Sequence, residues 1–377
     1  MRPLRVLQVS RVFHPNIGGI EKHVEWLSRA LRARGHTVDV VTLDRSFADG
    51  SRYAPYENLD GIHVWRVPFA GSTRYPIAPR VARFIRRYDL VHVHAIDFLA
   101  DWITLTKPWH RRPVVLSTHG GFFHTPFAKA LKTAWFHTGT RALAHAVDAL
   151  VFTSDQDEEL FRAVTRRGTL LRSAVDLDPW LPLEHAPRPG AFVTTGRVDT
   201  HKGLSHLLRS LAALRDRDPR PFEASIVGPE VVEGLVASLT RERDALGLAD
   251  RVRFEGKVPF ARLKEAVRTA ELGLFPSEYE SFGLSVVEAM ATGVPSVLND
   301  IRAFRYFVDH GQNGWIADFS KPSEAAATIA GARDLGERYA AVSAAARTTA
   351  RRYGWDQVVG DVEALYAAAL DRASHAS

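Results

Sequence analysis

Two carboxylates, Glu280 and Glu288, stand with seven residues between them in the stretch PSEYESFGLSVVEAMATG, residues 276–293. The apolar run that follows Ser285 reads as a buried helix. A loop at its start offers unpaired backbone N–H groups to an anion. Glu280 precedes that helix and can reach sugar hydroxyls. Glu288 lies within it and can accept hydrogen bonds from a ribose. The pattern suits a nucleotide sugar. An isolated pair of glutamates at this spacing would otherwise be two surface groups on one helix.

Other segments carry chemistry of the same kind. Gly196-Arg197-Val198-Asp199-Thr200-His201-Lys202-Gly203 follows an expected strand and precedes a helix, so Arg197 and Lys202 become candidate partners for a departing diphosphate. Gly18 and Gly19 open the first helix and permit close backbone approach, although the local pattern is not the G-x-G-x-x-G of dinucleotide sites. His119, followed by Gly120 and Gly121, closes another strand and should sit at the crevice edge. Phe254-Glu255-Gly256-Lys257-Val258 ends a strand and can present main-chain groups to a base. His92 and His94 alternate on one strand, but no third histidine or carboxylate has ligand spacing, so no metal site is expected.

The elements that must position these residues alternate short β-branched runs with amphipathic helices. Strands are expected at 6–9, 37–43, 90–94, 114–117 and 149–153, then at 191–195, 224–227, 252–255, 272–275 and 296–298. Helices are expected at 19–34, 204–215, 231–246, 260–269 and 284–291, with a helical tail over 325–352 and 356–370. This alternation implies parallel sheets covered on both faces, with the loops after the strands gathered along one edge. The 178–190 segment, with its prolines and lack of periodicity, reads as an interdomain linker. Two domains follow, 1–180 and 190–355, with the helix 356–374 returning to the first.

The 377-residue chain has 46% hydrophobic and 24% charged residues, as in a globular protein. It has no cysteine, which excludes disulfides and thiolate metal sites. The first residues do not read as a signal peptide, and no apolar run approaches bilayer length, so a cytoplasmic protein is expected. The net charge of +6 is modest, but Arg80, Arg83, Arg86 and Arg87 cluster at helical spacing, and Lys107, Arg111, Arg112, Lys129 and Lys132 share the same half. They form either a solvated face or one that meets anionic lipid. No nucleic-acid motif appears, and no nucleic-acid partner is expected.

Taken in order, PNIGGIEKHVEWLSRALRARGHTVDVVT, DLVHVHAID, STHGGF, GRVDTHKGL, FEGKV and PSEYESFGLSVVEAMATGVPSV resemble the retaining glycosyltransferases of the large GT-B group numbered four, over nearly the whole chain. The resemblance implies an α/β GT-B fold, two Rossmann-like doubly wound domains facing a cleft, no metal and no cofactor beyond the nucleotide-sugar substrate. It implies that Glu288 binds the ribose and Glu280 the donor sugar. Gly283, Leu284 and Ser285 would offer backbone N–H groups to sugar hydroxyls and the distal phosphate, with Gly19 approaching the phosphates from the first domain. Arg197 and Lys202 would stabilise the departing diphosphate, His119 would hold the sugar at its 6-hydroxyl, and Lys257 and Val258 would flank the base. The family's usual Asn-Gly-Val-Asp is Ser173-Ala174-Val175-Asp176 here, which alters a turn rather than the donor groups.

A narrower resemblance, carried by His119–Thr125, Ser72–Pro79 and Asp97-Phe98, is to the mannosyltransferases of xanthan- and acetan-type exopolysaccharide assembly. It implies GDP-mannose as donor, a polyprenyl-diphosphate-linked glucose disaccharide as acceptor, and a peripheral enzyme on the cytoplasmic face of the inner membrane. The segment 122–141, with Lys129, Lys132, Trp135 and Phe136, suits such a surface. Its apolar positions Phe127, Leu131, Ala134 and Trp135 equally suit core packing. A UDP-sugar donor, a sugar-nucleotide epimerase of the same fold and a basic binding module are the alternatives.

Overall fold

The structure is a computed structural model that describes residues 2–16, 18–47, 49–73, 75–120, 133–172, 174–280 and 282–375. The chain forms two compact units, residues 1–174 with 355–377, and residues 175–354.

The first unit is built on an eight-stranded sheet of order β10-β9-β8-β7-β1-β2-β4-β3. Its strands are β1 (Arg5–Ser10), β2 (Thr37–Leu43), β3 (Tyr56–Leu59), β4 (Ile62–Val67), β7 (Leu90–His94), β8 (Val114–Ser117), β9 (Ala149–Phe152) and β10 (Thr169–Leu170). A separate two-stranded ribbon joins β5 (Ala70–Ser72) and β6 (Tyr75–Ile77). All pairs in the large sheet are parallel except the edge pair β3–β4. The order reverses between β1 and β7, so the loops after these two strands flank a switch point.

Strand alternation divides the core into two layers. Leu7, Val9, Val91, Val93 and Leu116 join one cluster. Val6, Leu90 and Val115 join another, with Leu27 and Leu31 of helix Gly19–Ala33 and Val359, Val362 and Tyr366 of the terminal helix Trp355–His375. Gly35, at φ +91°, follows the first helix and lets the chain turn into β2.

The second unit has a six-stranded parallel sheet of order β13-β12-β11-β14-β15-β16, reversing between β11 and β14. Its strands are β11 (Ala191–Thr195), β12 (Glu223–Val227), β13 (Val252–Gly256), β14 (Leu272–Phe275), β15 (Ser296–Asn299) and β16 (Trp315–Ala317). Helix Leu204–Arg217 buries Leu207, Leu208 and Leu211 on one side of the sheet, and helix Leu284–Thr292 buries Val286, Val287 and Met290 on the other.

Several expectations are corrected. The proline-rich 178–190 segment is not a free linker. Val175, Leu177 and Trp180 are buried in a core of the second unit, with Leu181 and Leu183 packed against it. The Val175 N–H also donates to the Tyr353 carbonyl at 2.8 Å, so the chain enters the unit at 175. The helix expected from Val231 begins only at Leu235, after Gly234 at φ +79°. Of the arginine cluster, Arg80 lies on a 3-10 turn, Pro79–Val81, and Arg83 on the helical turn Ala82–Ile85, with Arg86 and Arg87 following it. Arg80, Arg83, Arg86 and Arg87 are exposed there. Strands β3, β4, β5, β6, β10 and β16 escaped the sequence reading: β3 and β4 form an antiparallel edge, β5 and β6 a separate ribbon, and β10 and β16 are only two and three residues long. The positions Phe127, Lys129, Leu131 and Lys132 lie outside the described residues, as do Gly121, Phe122, Phe123, His124, Thr125, Arg74, Ser173 and Ser281. No described helix is long and apolar enough to cross a membrane.

Candidate functional site

In the second unit, the loops after β11 and β14 meet at the switch point. Lys202 Nζ donates to Glu280 Oε1 at 2.5 Å, and Ser277 Oγ donates to the same oxygen at 3.0 Å. Both charged side chains are about one-fifth exposed, 22% for Lys202 and 19% for Glu280. The Glu278 N–H donates to the His201 carbonyl at 2.9 Å, tying the loops together by main chain. Gly203 makes this approach possible: a Cβ there would lie 2.2 Å from the Pro276 carbonyl oxygen, and its φ is +61°.

Helix Leu284–Thr292 starts beside this pair. Gly283, at φ +102°, precedes it, and no side chain caps it. Its first N–H groups therefore lack the usual side-chain acceptor. Ser285 is drawn in as well, since a Cβ on Gly196 would lie 3.4 Å from both Lys202 Nζ and Ser285 Oγ. Glu288 is half-buried one turn into the helix. Val258 packs against the core, and Lys257 is exposed beside it after β13. Arg197 is also exposed, and its side chain makes no hydrogen bond or ion pair with a described residue. The structure thus joins Lys202 and Glu280 directly, places Ser285 and Lys202 both beside Gly196, and leaves Arg197 without an anchor.

The first unit carries a different arrangement. Gly18 and Gly19 begin helix Gly19–Ala33, again without a side-chain cap. A Cβ on Gly19 would meet nothing within 4 Å, so no protein neighbour demands a glycine there. His119 follows β8 with φ +49°, a conformation a histidine rarely adopts. The residues on either side fix it. Thr118 Oγ1 and the Gly120 N–H both donate to Asp157 Oδ2, at 2.6 and 3.0 Å, and Thr153 Oγ1 adds a third bond at 2.8 Å.

His119 Nε2 lies 2.8 Å from His94 Nδ1, and His94 Nε2 lies 2.7 Å from Gln8 Oε1. Gln8 Nε2 is 3.3 Å from the Tyr366 hydroxyl, which is 2.8 Å from His92 Nδ1. His92 Nε2 ends the chain 2.7 Å from Ser117 Oγ. His23 of the first helix packs edge-on to His119, with centroids 4.7 Å apart, and to Trp355 at 5.2 Å. Burial pushes all four imidazoles below the usual histidine range. His92 and His119 fall to about 3, with a smaller contribution from neighbouring histidines.

The premise that no third histidine joins His94 is thereby overturned. Ligand atoms of His23, His94 and His119 lie within 4.8 Å of one another. Chain spacing hid this because the three come from a helix, a strand and a loop. Both ring nitrogens of His94 are nevertheless already engaged in hydrogen bonds, with Gln8 and His119.

Nearby, Asp97 caps helix Phe98–Leu105 through Oδ1, which accepts from the Leu99 N–H at 2.8 Å. Its buried Oδ2 has no hydrogen-bond partner and lies 4.0 Å from Arg11 Nε, across the β1–β7 switch. Burial raises its pKa to about 6. Gln8, His23, Asp157 and Tyr366 escaped the sequence reading. The one available signal was the polar alternation of Gln8 and His92/His94 in otherwise apolar strands.

The chain thus consists of two doubly wound α/β units, each carrying a cluster of polar groups at its switch point. Residues 183–349 match the family described as glycosyl transferases group 1, and residues 18–172 match the glycosyl transferase 4-like domain. The chain is 36% identical, over 97% of its length and 97% of the relative's, to the GDP-mannose:cellobiosyl-diphosphopolyprenol alpha-mannosyltransferase of Xanthomonas campestris. It is 33% identical to the enzyme of that name from Komagataeibacter xylinus, over 98% and 94% of the two chains. Sucrose-phosphate synthase from Thermosynechococcus elongatus superposes with a TM-score of 0.72 at 20% identity, covering 99% of this chain and 100% of that one, a likeness of fold. The protein belongs to the group 1 glycosyl transferases and has the GT-B fold.

Proposed function

We propose that this enzyme is a retaining α-mannosyltransferase that moves mannose from GDP-mannose onto a glucose disaccharide carried on polyprenyl diphosphate. The observation that carries the chemistry is the Lys202–Glu280 pair at the switch point, beside the uncapped start of helix Leu284–Thr292. The donor and acceptor follow from the names of relatives matched over nearly the full chain.

The bond from the sugar C1 to the distal phosphate oxygen breaks first, through an oxocarbenium-like transition state. Lys202 and the N–H groups of Leu284 and Ser285 stabilise the charge that develops on the diphosphate. Glu280 orients Lys202 and faces the donor sugar, Arg197 adds charge at the loop, and Glu288 accepts from the ribose. Gly283 lets the helix start approach closely. Lys257 and Val258 flank the guanine, Gly18 and Gly19 admit the phosphates, and His119 holds the mannose. The acceptor hydroxyl attacks C1 from the face the diphosphate leaves, and its proton passes to a leaving phosphate oxygen. This reading needs no metal, no further cofactor and no nucleic acid. The enzyme works as a peripheral protein on the cytoplasmic face of the inner membrane, with its exposed arginines against anionic lipid.

The test is a panel of radiolabelled sugar nucleotides incubated with a membrane lipid extract. Label entering the organic phase from GDP-mannose alone supports the proposal. Label entering only from a UDP-sugar refutes the donor, and conversion of the donor without acceptor points to an epimerase.

A further inference from the structure

We infer that Gln8 and His94 are positioning residues that hold His119 as its Nε2–H tautomer, leaving Nδ1 as a hydrogen-bond acceptor that selects a ligand hydroxyl. The Gln8 amide has only two orientations. As it stands, the carbonyl oxygen is 2.7 Å from His94 Nε2 and the amide nitrogen is 3.3 Å from the Tyr366 hydroxyl. The first distance is within the ordinary N–H···O range of about 2.7–3.2 Å. The 3.3 Å contact to Tyr366 is slightly long for the N–H···O bond of this orientation, and longer still for the O–H···O bond, usually about 2.5–3.0 Å, that a reversed amide would need. Reversal would also turn the 2.7 Å N–H···O bond to His94 into an N–H···N bond, shorter than the 2.8 Å contact between His94 and His119.

The remaining protons then follow in order. A neutral imidazole has one donor and one acceptor nitrogen. His94 gives its only proton, on Nε2, to Gln8, so its Nδ1 is a lone pair. The 2.8 Å contact from that lone pair to His119 Nε2 places the His119 proton on Nε2. His119 Nδ1 must then be a lone pair, and it makes no hydrogen bond to a described residue. The second branch agrees with this order. The Gln8 amide donates to Tyr366, Tyr366 donates to His92 Nδ1, and His92 Nε2 donates to Ser117 Oγ.

The surroundings keep this order in place. Gln8, His92 and His94 have relative exposures of 0%, 2% and 1%, so water does not compete for the bonds. Tyr366 enters from the terminal helix and is fully buried. Asp157 clamps the residues on both sides of His119, which restricts the ring's position. Burial keeps His119 neutral at physiological pH, so a second proton does not convert Nδ1 into a donor. An acceptor-only nitrogen binds a hydroxyl and gains nothing from a methyl group. In its last step the inference rests on the proposed function, in which His119 meets the donor mannose. With the 6-hydroxyl contact that the family resemblance implies for His119, the hydroxyl selected is the one on the sugar's exocyclic carbon, and the 6-deoxy sugar is rejected.

The direct test needs no variant. Two-bond 1H–15N correlations on the full-length protein with 15N-labelled histidine read the tautomer of each ring. Neutral Nε2–H for His119 at pH 7 is expected. An Nδ1–H tautomer or a cationic ring overturns the inference. The second test compares kcat/KM for GDP-mannose and its 6-deoxy analogue. The wild type should prefer the hydroxylated donor by about 100-fold or more, since a site built around a hydroxyl discriminates strongly against its absence. Gln8→Met, which frees the His94 proton, should reduce that preference about 10-fold and shift His119 to mixed tautomers. An equal slowing of both donors with the tautomer unchanged overturns the positioning role. Full GDP-mannose turnover by His119→Ala, with Nε2–H still observed in the wild type, sinks the sugar contact and leaves the tautomer assignment standing.

Discussion

The first unit gathers neutral, buried side chains at the ends of its strands and from its terminal helix, whereas the second gathers charge and bare backbone. Around His119 the polar atoms are matched donor to acceptor through Gln8, His94, His92 and Tyr366. Around Lys202 a cation–carboxylate pair stands among glycines and an uncapped helix start. The difference tracks what each region can offer a ligand. A matched network has fixed directions and suits reading a neutral hydroxyl. A partly exposed ion pair and free N–H dipoles suit a charge that grows during reaction.

The comparison breaks first at Lys202. Lys202→Ala should reduce kcat by about 10²–10³-fold, the loss seen when one preorganised stabilising group is removed. Steady-state turnover with saturating donor measures it. Thermal stability should change little, because the pair is partly solvated. Full turnover would remove the charged half of the contrast.

Acid should separate the units next. His92 and His119 titrate near 3 in the folded protein, against about 6.5 unfolded. Below pH 6.5 the unfolded chain binds protons that the folded chain refuses, so stability falls as pH falls, down to about 3. The slope is about 1.4 kcal/mol per pH unit for each such ring, or about 2 kcal/mol per ring at pH 5. In the second unit, hydrogen bonds from Arg220, with Arg333 beside it, hold Asp218 down to about 2. That contribution is complete above the ordinary aspartate range and disappears only between about 4 and 2. Hydrogen exchange at pH 7.5 and pH 5 should therefore show protection lost in β1 and β7 while β11 and β12 keep theirs. Equal loss in both units would contradict the assignment.

The contrast also explains what the sequence disclosed. The charged region was legible because each part is a short local pattern: a strand, a glycine turn, then a helix. Glu280, Gly283, Leu284 and Ser285 are nearly consecutive, and Lys202 closes a single loop. The alternation of strands and helices was legible for the same reason. The histidine network was not, because its members lie at 8, 92, 94, 119 and 366, and only the parallel register of β1 with β7 brings Gln8 opposite His92. Asp157 was equally hidden, since its role depends on reaching from the helix after β9 to the loop after β8. The 178–190 segment misled because proline removes periodicity without preventing burial, as Trp180 shows.

A third change probes the backbone half of the contrast. Gly203→Ala would place a methyl group against the Pro276 carbonyl at a positive φ. It should cost about 1–3 kcal/mol of stability, the range for a strained backbone position. Because Gly203 follows Lys202, turnover should fall as well. Chemical denaturation and donor kinetics on one sample measure both. The matching change at Gly19, where a Cβ meets nothing, should leave stability unaltered and raise the donor KM.

The smallest expected effect belongs to residues outside both regions. Arg80, Arg83 and Arg87 are exposed on the first unit, and none of their side chains has a hydrogen bond or ion pair to a described residue. Replacing all three by alanine should shift stability by no more than about 0.5 kcal/mol, as for surface positions without special contacts. Turnover on a water-soluble acceptor analogue should be unchanged. Binding to vesicles containing anionic lipid should weaken by about 1 kcal/mol for each arginine that lies near the surface. Co-sedimentation at two salt concentrations tests this, since a lipid contact made by these side chains must weaken with salt as well as with their removal. If the triple variant binds vesicles as the wild type does, the membrane contact lies elsewhere and this face is merely solvated.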